Sequence, residues 1–481
     1  YIFNFFIMMH LNTKIVATVG PSCSSFEALR DLALEGVSVF RLNFSHGTHE
    51  DHAKIIDHIC QINNQYEVHI GIMADLQGPK LRIGQMQDNG LLVDPGDILT
   101  FKDEKCIGTK EQIYMSYDYF ARDVRPGEKI LIDDGKLVFE VVDTNNTDTV
   151  HLKCLYGGIL SSNKGVNLPD TEVSLPCLTE KDLIDLDFIL TKPVNWIALS
   201  FVRKPEDVED LQSRIEQAGH YAKVIAKIEK PEAIKNIDKI IKVSNAIMVA
   251  RGDLGVEMPI EKLPTIQKMI INKCIQRARP VIVATQLMDS MINNPSPTRA
   301  EVTDVANAVL DGTDAVMLSA ETSVGKHPVI VVKAMNKIIA EAEDHYSFQT
   351  RRPNSSDKSS TFINDVVCFN AAKTAEDIGA KAIIGLTISG YTAFKTSSYR
   401  PNCPIYMFSS AAHMLGTLNL VWGVHCYFYD KMSSTDETVE DLVQILKFYG
   451  KLFPGDLVVN TGSMPIDKKL RTNMLKVTEV E

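Results

Sequence analysis

The feature that most constrains this chain is a repeated unit, a short β-branched apolar run followed by a stretch of helical periodicity. The runs are Lys14–Gly20, Val37–Asn43, His69–Leu76, Asn195–Ser200, Lys223–Ile228, Ala246–Ala250, Val281–Thr285 and Ala315–Leu318. Apolar runs that do not alternate mark strands buried on both faces of a parallel sheet. Eight of them, separated mostly by amphipathic helices, predict a (β/α)8 barrel.

One interval is too long for a barrel. Well over a hundred residues separate Leu76 from Asn195, and Pro79–Leu175 alternates short β runs (Leu91–Val93, Asp97–Phe101, Lys129–Ile132, Leu137–Val142, Thr149–Tyr156) with turns such as Pro95-Gly96, Asp134-Gly135 and Gly157-Gly158. That spacing predicts a small β domain, a β-barrel, inserted after the third barrel strand. A polar, helix-poor linker is expected over Ser347–Ser360, and beyond it Ala382–Leu386, Ile405–Phe408, Val424–Phe428 and Leu457–Val459 alternate with helices. The expected division is therefore a split catalytic barrel (12–78 and 176–346), an inserted β lid (79–175) and a C-terminal α/β open sheet (347–481). Residues 1–11 read as an extension, with Tyr1–Phe6 expected to lie upstream of a start at Met8 or Met9.

Composition excludes several functions. A net charge of −11 argues against nucleic acid as a partner, though a local basic pocket for a phosphorylated metabolite is compatible with it. The apolar run Tyr1–Met9 is too short to span a bilayer, which needs ~20 residues, and lacks the flanks of a signal peptide. Nine scattered cysteines, with no CxxC pair and no zinc spacing, read as reduced thiols and a cytoplasmic setting.

Barrel enzymes carry their chemistry at the C-terminal ends of the strands. The residues there are Arg41, Asn43 and Ser45; Asp75; Ser200 and Phe201; Lys227 and Glu229; Arg251 and Asp253; Thr285; and Ser319 with Glu321. Lys227 and Glu229 are two apart and so face the same way. An isolated Lys-x-Glu is more often a rim salt bridge of little energetic consequence, and Gly252-Asp253-Leu254-Gly255 is ordinary turn chemistry. The alternative is that Glu229 and Asp253 form a two-carboxylate seat for Mg²⁺, leaving positions for substrate oxygens.

Thr18-Val19-Gly20-Pro21-Ser22, Arg41–Gly47, Gly78-Pro79 before Arg82, Lys164–Pro169, Ala226–Glu232, Met248–Glu257, Ala284-Thr285-Gln286, Pro297–Glu301, Val305–Gly312 and Met317–Glu321 resemble the pyruvate kinase family, in order, from about Asn12 to Lys476. The resemblance implies transfer of a phosphoryl group from phosphoenolpyruvate to ADP, giving pyruvate and ATP, with Mg²⁺ or Mn²⁺. It implies Lys227 on the phosphoryl group, Glu229 and Asp253 on the metal, and Arg41 opposing them. Gly252 and Asp253 N–H groups would receive the substrate carboxylate. Thr285 would lie beside the enolate, with Ser319 in a proton relay. Arg41, His46, Arg82 and Lys164 would hold the nucleotide phosphates. Two other readings compete: an Mg²⁺-dependent barrel acting on pyruvate or phosphoenolpyruvate enolates without nucleotide, and a non-catalytic metabolite-binding regulator. The Lys164–Pro169 motif and the insertion speak against the first, and the presence of Lys227, Glu229 and Asp253 against the second.

Three further expectations follow. Thr387, Ser389, Gly390 and Thr392, between a strand and a helix expected at Ala393–Tyr399, read as a site for a phosphorylated effector. Family members that need K⁺ hold it with residues matching Asn43, Ser45 and Asp75. Here Leu76-Gln77-Gly78-Pro79-Lys80 places Lys80 where those members carry glutamate, so K⁺ is not expected to be required. By analogy the chain is a homotetramer. Lys469–Asn473 lacks the glycine often found before the family's Thr-Asn, which puts that loop in question.

Overall fold

The computed structural model describes residues 11–345, 360–431, 434–464 and 471–481. Residues 1–10, all but the last residue of the expected linker, and Lys469 and Leu470 lie outside the described residues.

The strands Lys14–Thr18, Val37–Asn43, Gly71–Asp75, Trp196–Leu199, Lys223–Ile228, Ala246–Ala250, Val281–Ala284 and Ala315–Leu318 form a closed, all-parallel barrel, the last pairing with the first. Gly71–Asp75 pairs directly with Trp196–Leu199, so the long insertion leaves the barrel register intact. Alternate side chains point inward. Val16, Val39, Met73, Ala198, Ile225, Met248 and Met317 pack in the barrel interior, while their neighbours in sequence pack outward against the helices. This is why the strands read as unbroken apolar runs.

The inserted segment has strands Gly90–Val93, Ile98–Lys102, Ile113–Tyr114, Lys129–Ile132, Leu137–Thr144, Thr149–Tyr156, Gly158–Ser161 and Val166–Asn167. They form a six-stranded sheet and a two-stranded ribbon around their own apolar core. The two edges of the six-stranded sheet are joined through single residue pairs, Arg82 with Gly165 and Ile83 with Met115, so the expected β-barrel is completed by bridges and not by a strand. The strands Ile113–Tyr114, Gly158–Ser161 and Val166–Asn167 were not anticipated. Two of them are only two residues long, too short to show any period.

In the C-terminal region, Leu457–Gly462, Ala382–Leu386, Ile405–Ser409 and Val424–Phe428 pair in parallel, and Met474–Glu479 adds an antiparallel edge strand that the sequence reading missed. This sheet and its helices sit under the barrel. Leu420 packs with the interior barrel residues, Trp196 Nε1 donates to Thr417 O at 3.2 Å, and Asn419 Nδ2 donates to the carbonyls of Ser38 and His69. One tie is ionic. Arg400 donates to Asp314 at 3.0 Å and to Gly312 O at 2.8 Å, stacked over Trp422, while Asp314 also accepts the N–H groups of Val281 and Trp422. Removing one partner of a buried pair strands the other charge. Arg400→Ala should therefore destabilise the chain by about 3–5 kcal/mol, measured by denaturant unfolding; an unchanged midpoint would show that the tie contributes nothing.

Candidate active site

On six of the eight strands the inward row, followed two residues past an interior apolar member, supplies the polar groups of the barrel's upper rim. Val16 leads to Thr18, Val39 to Arg41, Met73 to Asp75, Ala198 to Ser200, Ile225 to Lys227 and Met317 to Ser319. A two-residue period thus brings six polar side chains from distant segments to one end of one apolar column.

Asp75 organises them. Its Oδ2 accepts Arg41 Nε at 2.7 Å and its Oδ1 lies 3.2 Å from Lys227 Nζ. Lys227 also reaches Glu229 Oε1 at 3.0 Å and Ser200 Oγ at 2.7 Å, and Arg41 donates to Thr18 Oγ1 at 3.0 Å. The Asp75 and Glu229 side chains are 1% exposed, and both cations 12%, so each cation keeps one aspect toward the rim. Burial pushes the Asp75 carboxyl up, but Lys227 and Arg41 more than offset this and hold it below the usual carboxylate range. Burial pulls the Lys227 ammonium down, yet Asp75 and Glu229 hold it above the ordinary lysine value, so it stays charged. Glu229 is raised by burial and by the neighbouring Asp253, against the pull of Lys227.

The local backbone is bent to fit. Glu229 Oε2 accepts the N–H of Phe201 at 2.7 Å, and Phe201 has φ 57°. Gly78 approaches so closely that a Cβ there would stand 2.8 Å from the Phe201 ring and 2.9 Å from Ser200 Cβ. Across the rim Thr285, a β-branched residue, has φ 68°, an outlier of the kind that surrounding structure must enforce. Arg251 enforces it, donating to the carbonyls of Thr285 and Gln286 while paired with Asp304.

Several expected residues occupy different relations from those anticipated. Asp75, expected at a monovalent-cation site, has one oxygen on Arg41 and the other on Lys227. Asn43 Oδ1 accepts the N–H of Ser45 at 3.1 Å. The Gly252 N–H donates to Thr285 Oγ1 at 2.7 Å, so a substrate carboxylate there would have to exchange with the threonine hydroxyl. Ser319 Oγ is buried and has no hydrogen-bond partner among the described residues. His46 is exposed. Arg82 donates to Asn163 O and Lys164 pairs with Asp133 at 2.9 Å, both within the inserted sheet. Lys80 is exposed beside Gly165 and lines, with Asp253, Phe201 and Lys230, the cleft between sheet and barrel. Far from the rim, Gly390 with φ 82° starts the helix Tyr391–Ser398, two residues earlier than anticipated. Its N–H is capped by Thr387 Oγ1, the Tyr391 N–H by Ser389 Oγ, and Thr392 pairs with Thr472.

Glu229 and Asp253 suit a hard dication. Both donors are carboxylate oxygens, they repel one another, and Asp253 accepts no hydrogen bond among the described residues. A barrel rim with two fixed cations beside two carboxylates has the character of an enzyme site for a compact, highly charged group.

The comparisons agree. Residues 10–332 match the family model described as pyruvate kinase, barrel domain, and residues 365–478 match pyruvate kinase, alpha/beta domain. The chain is 44% identical over 475 residues to pyruvate kinase 2 of Synechocystis sp., covering 98% of this chain and 79% of that one. It is 39% identical over 471 residues to a pyruvate kinase of Corynebacterium efficiens, covering 98% of each. A crystal structure of a pyruvate kinase from Cryptosporidium parvum superposes with TM-score 0.92 at 33% identity, covering 98% of this chain and 97% of that one. The chain belongs to the pyruvate kinase family and is a phosphotransferase.

Asp75 has a definite pH signature. A depressed carboxyl contributes stability that is present above its unfolded pKa and lost as pH falls through its folded one. Asp75→Asn should cost about 3–5 kcal/mol near neutrality, and the gap to wild type should close below pH ~4. Urea unfolding across pH measures it, and a pH-independent gap would contradict the ion-pair account.

Proposed function

We propose that this chain transfers the phosphoryl group of phosphoenolpyruvate to ADP, giving pyruvate and ATP. The observation that carries this is the Arg41–Asp75–Lys227 cluster set against the Glu229–Asp253 seat on one rim. Phosphoryl transfer needs positioning and neutralisation of charge more than covalent chemistry, and no activated nucleophile is required. Lys227 would lie on the phosphoryl group in flight, its ammonium held by Asp75, Glu229 and Ser200 so that little reorganisation accompanies transfer. Arg41 would neutralise phosphate charge from the other side. A Mg²⁺ or Mn²⁺ ion bound by Glu229 and Asp253 would neutralise charge on the phosphoryl and enolate oxygens. Gly252 and Asp253 N–H groups would orient the substrate carboxylate. Thr285, in its strained turn, would place a hydroxyl beside the enolate carbon, and the unpartnered Ser319 hydroxyl would belong to the proton path.

The residues 12–78 and 176–346 form the catalytic unit in this reading, 347–481 the C-terminal unit, and 79–175 a lid. The lid brings Arg82 and Lys164 to the nucleotide phosphates, together with His46 and Arg41, and excludes water that would compete as acceptor. Among the described residues no helix is long and apolar enough to cross a membrane, and we place the enzyme in the cytoplasm as a homotetramer, a state that light scattering would test. A phosphorylated effector at Thr387–Thr392 would have to exchange with the hydroxyls that cap Gly390 and Tyr391; titration calorimetry with sugar phosphates and AMP decides it, absence of heat and of any kinetic response defeating it.

A coupled assay for pyruvate formed from phosphoenolpyruvate and ADP tests the function. Lys227→Met should lower kcat by at least ~10³-fold with little change in substrate KM, since its charge acts most on the transition state. Glu229→Gln and Asp253→Asn should also raise the Mn²⁺ concentration needed for half-activity. A Lys227→Met enzyme with most of its activity would remove the residue from this role.

K⁺ should not be required. Lys80 supplies a compact positive charge at the mouth, where K⁺-requiring relatives carry a glutamate. In tetramethylammonium buffer, added KCl should change the rate less than about twofold, whereas Lys80→Glu should acquire K⁺ dependence. Strong activation of the wild type by K⁺ would defeat the reading.

A further inference from the structure

The inserted sheet meets the barrel mouth at a buried carboxylate that the mechanism above does not use. Glu257 ends the short helix Arg251–Glu257, whose first turn carries Gly252 and Asp253. Its side chain is 1% exposed, and its Oε1 accepts both Lys230 Nζ at 2.5 Å and Asn167 Nδ2 at 2.8 Å. Its Oε2 is buried without a partner among the described residues. Lys230 directly follows Glu229, and Asn167 lies in the strand Val166–Asn167, three residues beyond Lys164. One oxygen thus joins the residue beside one half of the carboxylate seat, the helix bearing the other half, and the sheet that carries Lys164.

We propose that Glu257 is a positioning residue that latches the inserted sheet onto the barrel mouth through Asn167, in register with the Glu229–Asp253 seat. The proposal rests on the phosphotransferase reading above, because it supposes that the sheet brings nucleotide contacts to the rim. The two halves of the latch differ in kind. Lys230 supplies the opposite charge that a buried carboxylate needs, so Glu257 stays fixed whether or not the sheet is docked. Asn167 is a neutral donor to a charged acceptor, strong enough to hold yet able to leave without stranding a charge. The same helix receives the sheet at a second point, where a Cβ on Gly135 would lie 3.8 Å from Val256 Cγ1. The return end of the insertion is tethered separately, by Arg203 donating to the carbonyls of Val173 and Leu175, so loss of the Asn167 contact would not detach the sheet.

Two variants of the full chain test this, Asn167→Ala and Asn167→Asp. Neither unpairs Lys230 from Glu257. If docking is what presents the nucleotide site, losing the latch lowers the docked fraction and raises the ADP KM by about fivefold to tenfold for Asn167→Ala, with the phosphoenolpyruvate KM within about twofold. Asn167→Asp faces one buried carboxylate with another and should be worse, with a penalty that salt relieves little. An ADP KM unchanged in both variants, or a parallel rise in both KM values, overturns the latch. Wild-type turnover is measured first. If the wild type forms no pyruvate, the phosphotransferase reading fails, and the latch is then judged by hydrogen exchange alone. There, faster exchange along Val166–Asn167 and the Gly135 turn in Asn167→Ala supports it, and an unchanged pattern overturns it.

Discussion

The site depends on one carboxylate held between two cations. Arg41 and Lys227 rise from an apolar column, where an unpaired charge would be driven to neutralise or to leave. Asp75, on a strand between theirs, meets both, and its two oxygens fix their directions as well as their charge. The rest of the rim is arranged around this. Ser200 gives Lys227 a further acceptor, Phe201 turns into a left-handed conformation so that its N–H can reach Glu229, and Gly78 leaves the room for that turn. The net effect is a rim on which two cations, fixed in direction, stand beside the Glu229 carboxylate.

The other two parts of the molecule act on opposite ends of the column. Below, Leu420 and Trp196 close the barrel floor against the C-terminal sheet, with the Arg400–Asp314 pair beside them just before the strand that leads to Ser319. Above, the inserted sheet meets the mouth through Asn167 and Glu257. An insertion after the third strand sets a second sheet beside the barrel mouth while leaving the pairing of Gly71–Asp75 with Trp196–Leu199 undisturbed.

The barrel was legible because its strands are buried on both faces, which leaves unbroken apolar runs; four of the eight begin and end where the sequence reading put them. Met474–Glu479 was missed for the opposite reason. As an edge strand it keeps charged and exposed residues and no apolar run. Lys227 and Glu229 were readable as a same-facing pair because their spacing is local. The pairing of Asp75 with Lys227 was not, since it is set by distance across strands 152 positions apart in number. The pairing of Glu257 with Asn167 gave no signal for the same reason, the two being 90 positions apart, one on a helix and the other on a strand. At Thr387–Thr392 the hydroxyls were visible in sequence, but that they cap their own turn was not, because capping depends on the backbone angle at Gly390.

The most direct test of this account is a double-mutant cycle on the rate of phosphoryl transfer, measured in single turnover with Asp75→Asn, Lys227→Arg and the pair. If Asp75 acts by holding Lys227 in place, the two losses overlap, and the double variant should be within about threefold of the worse single variant. If the losses multiply, Asp75 and Lys227 contribute independently, and the claim that one buried carboxylate organises the rim is wrong.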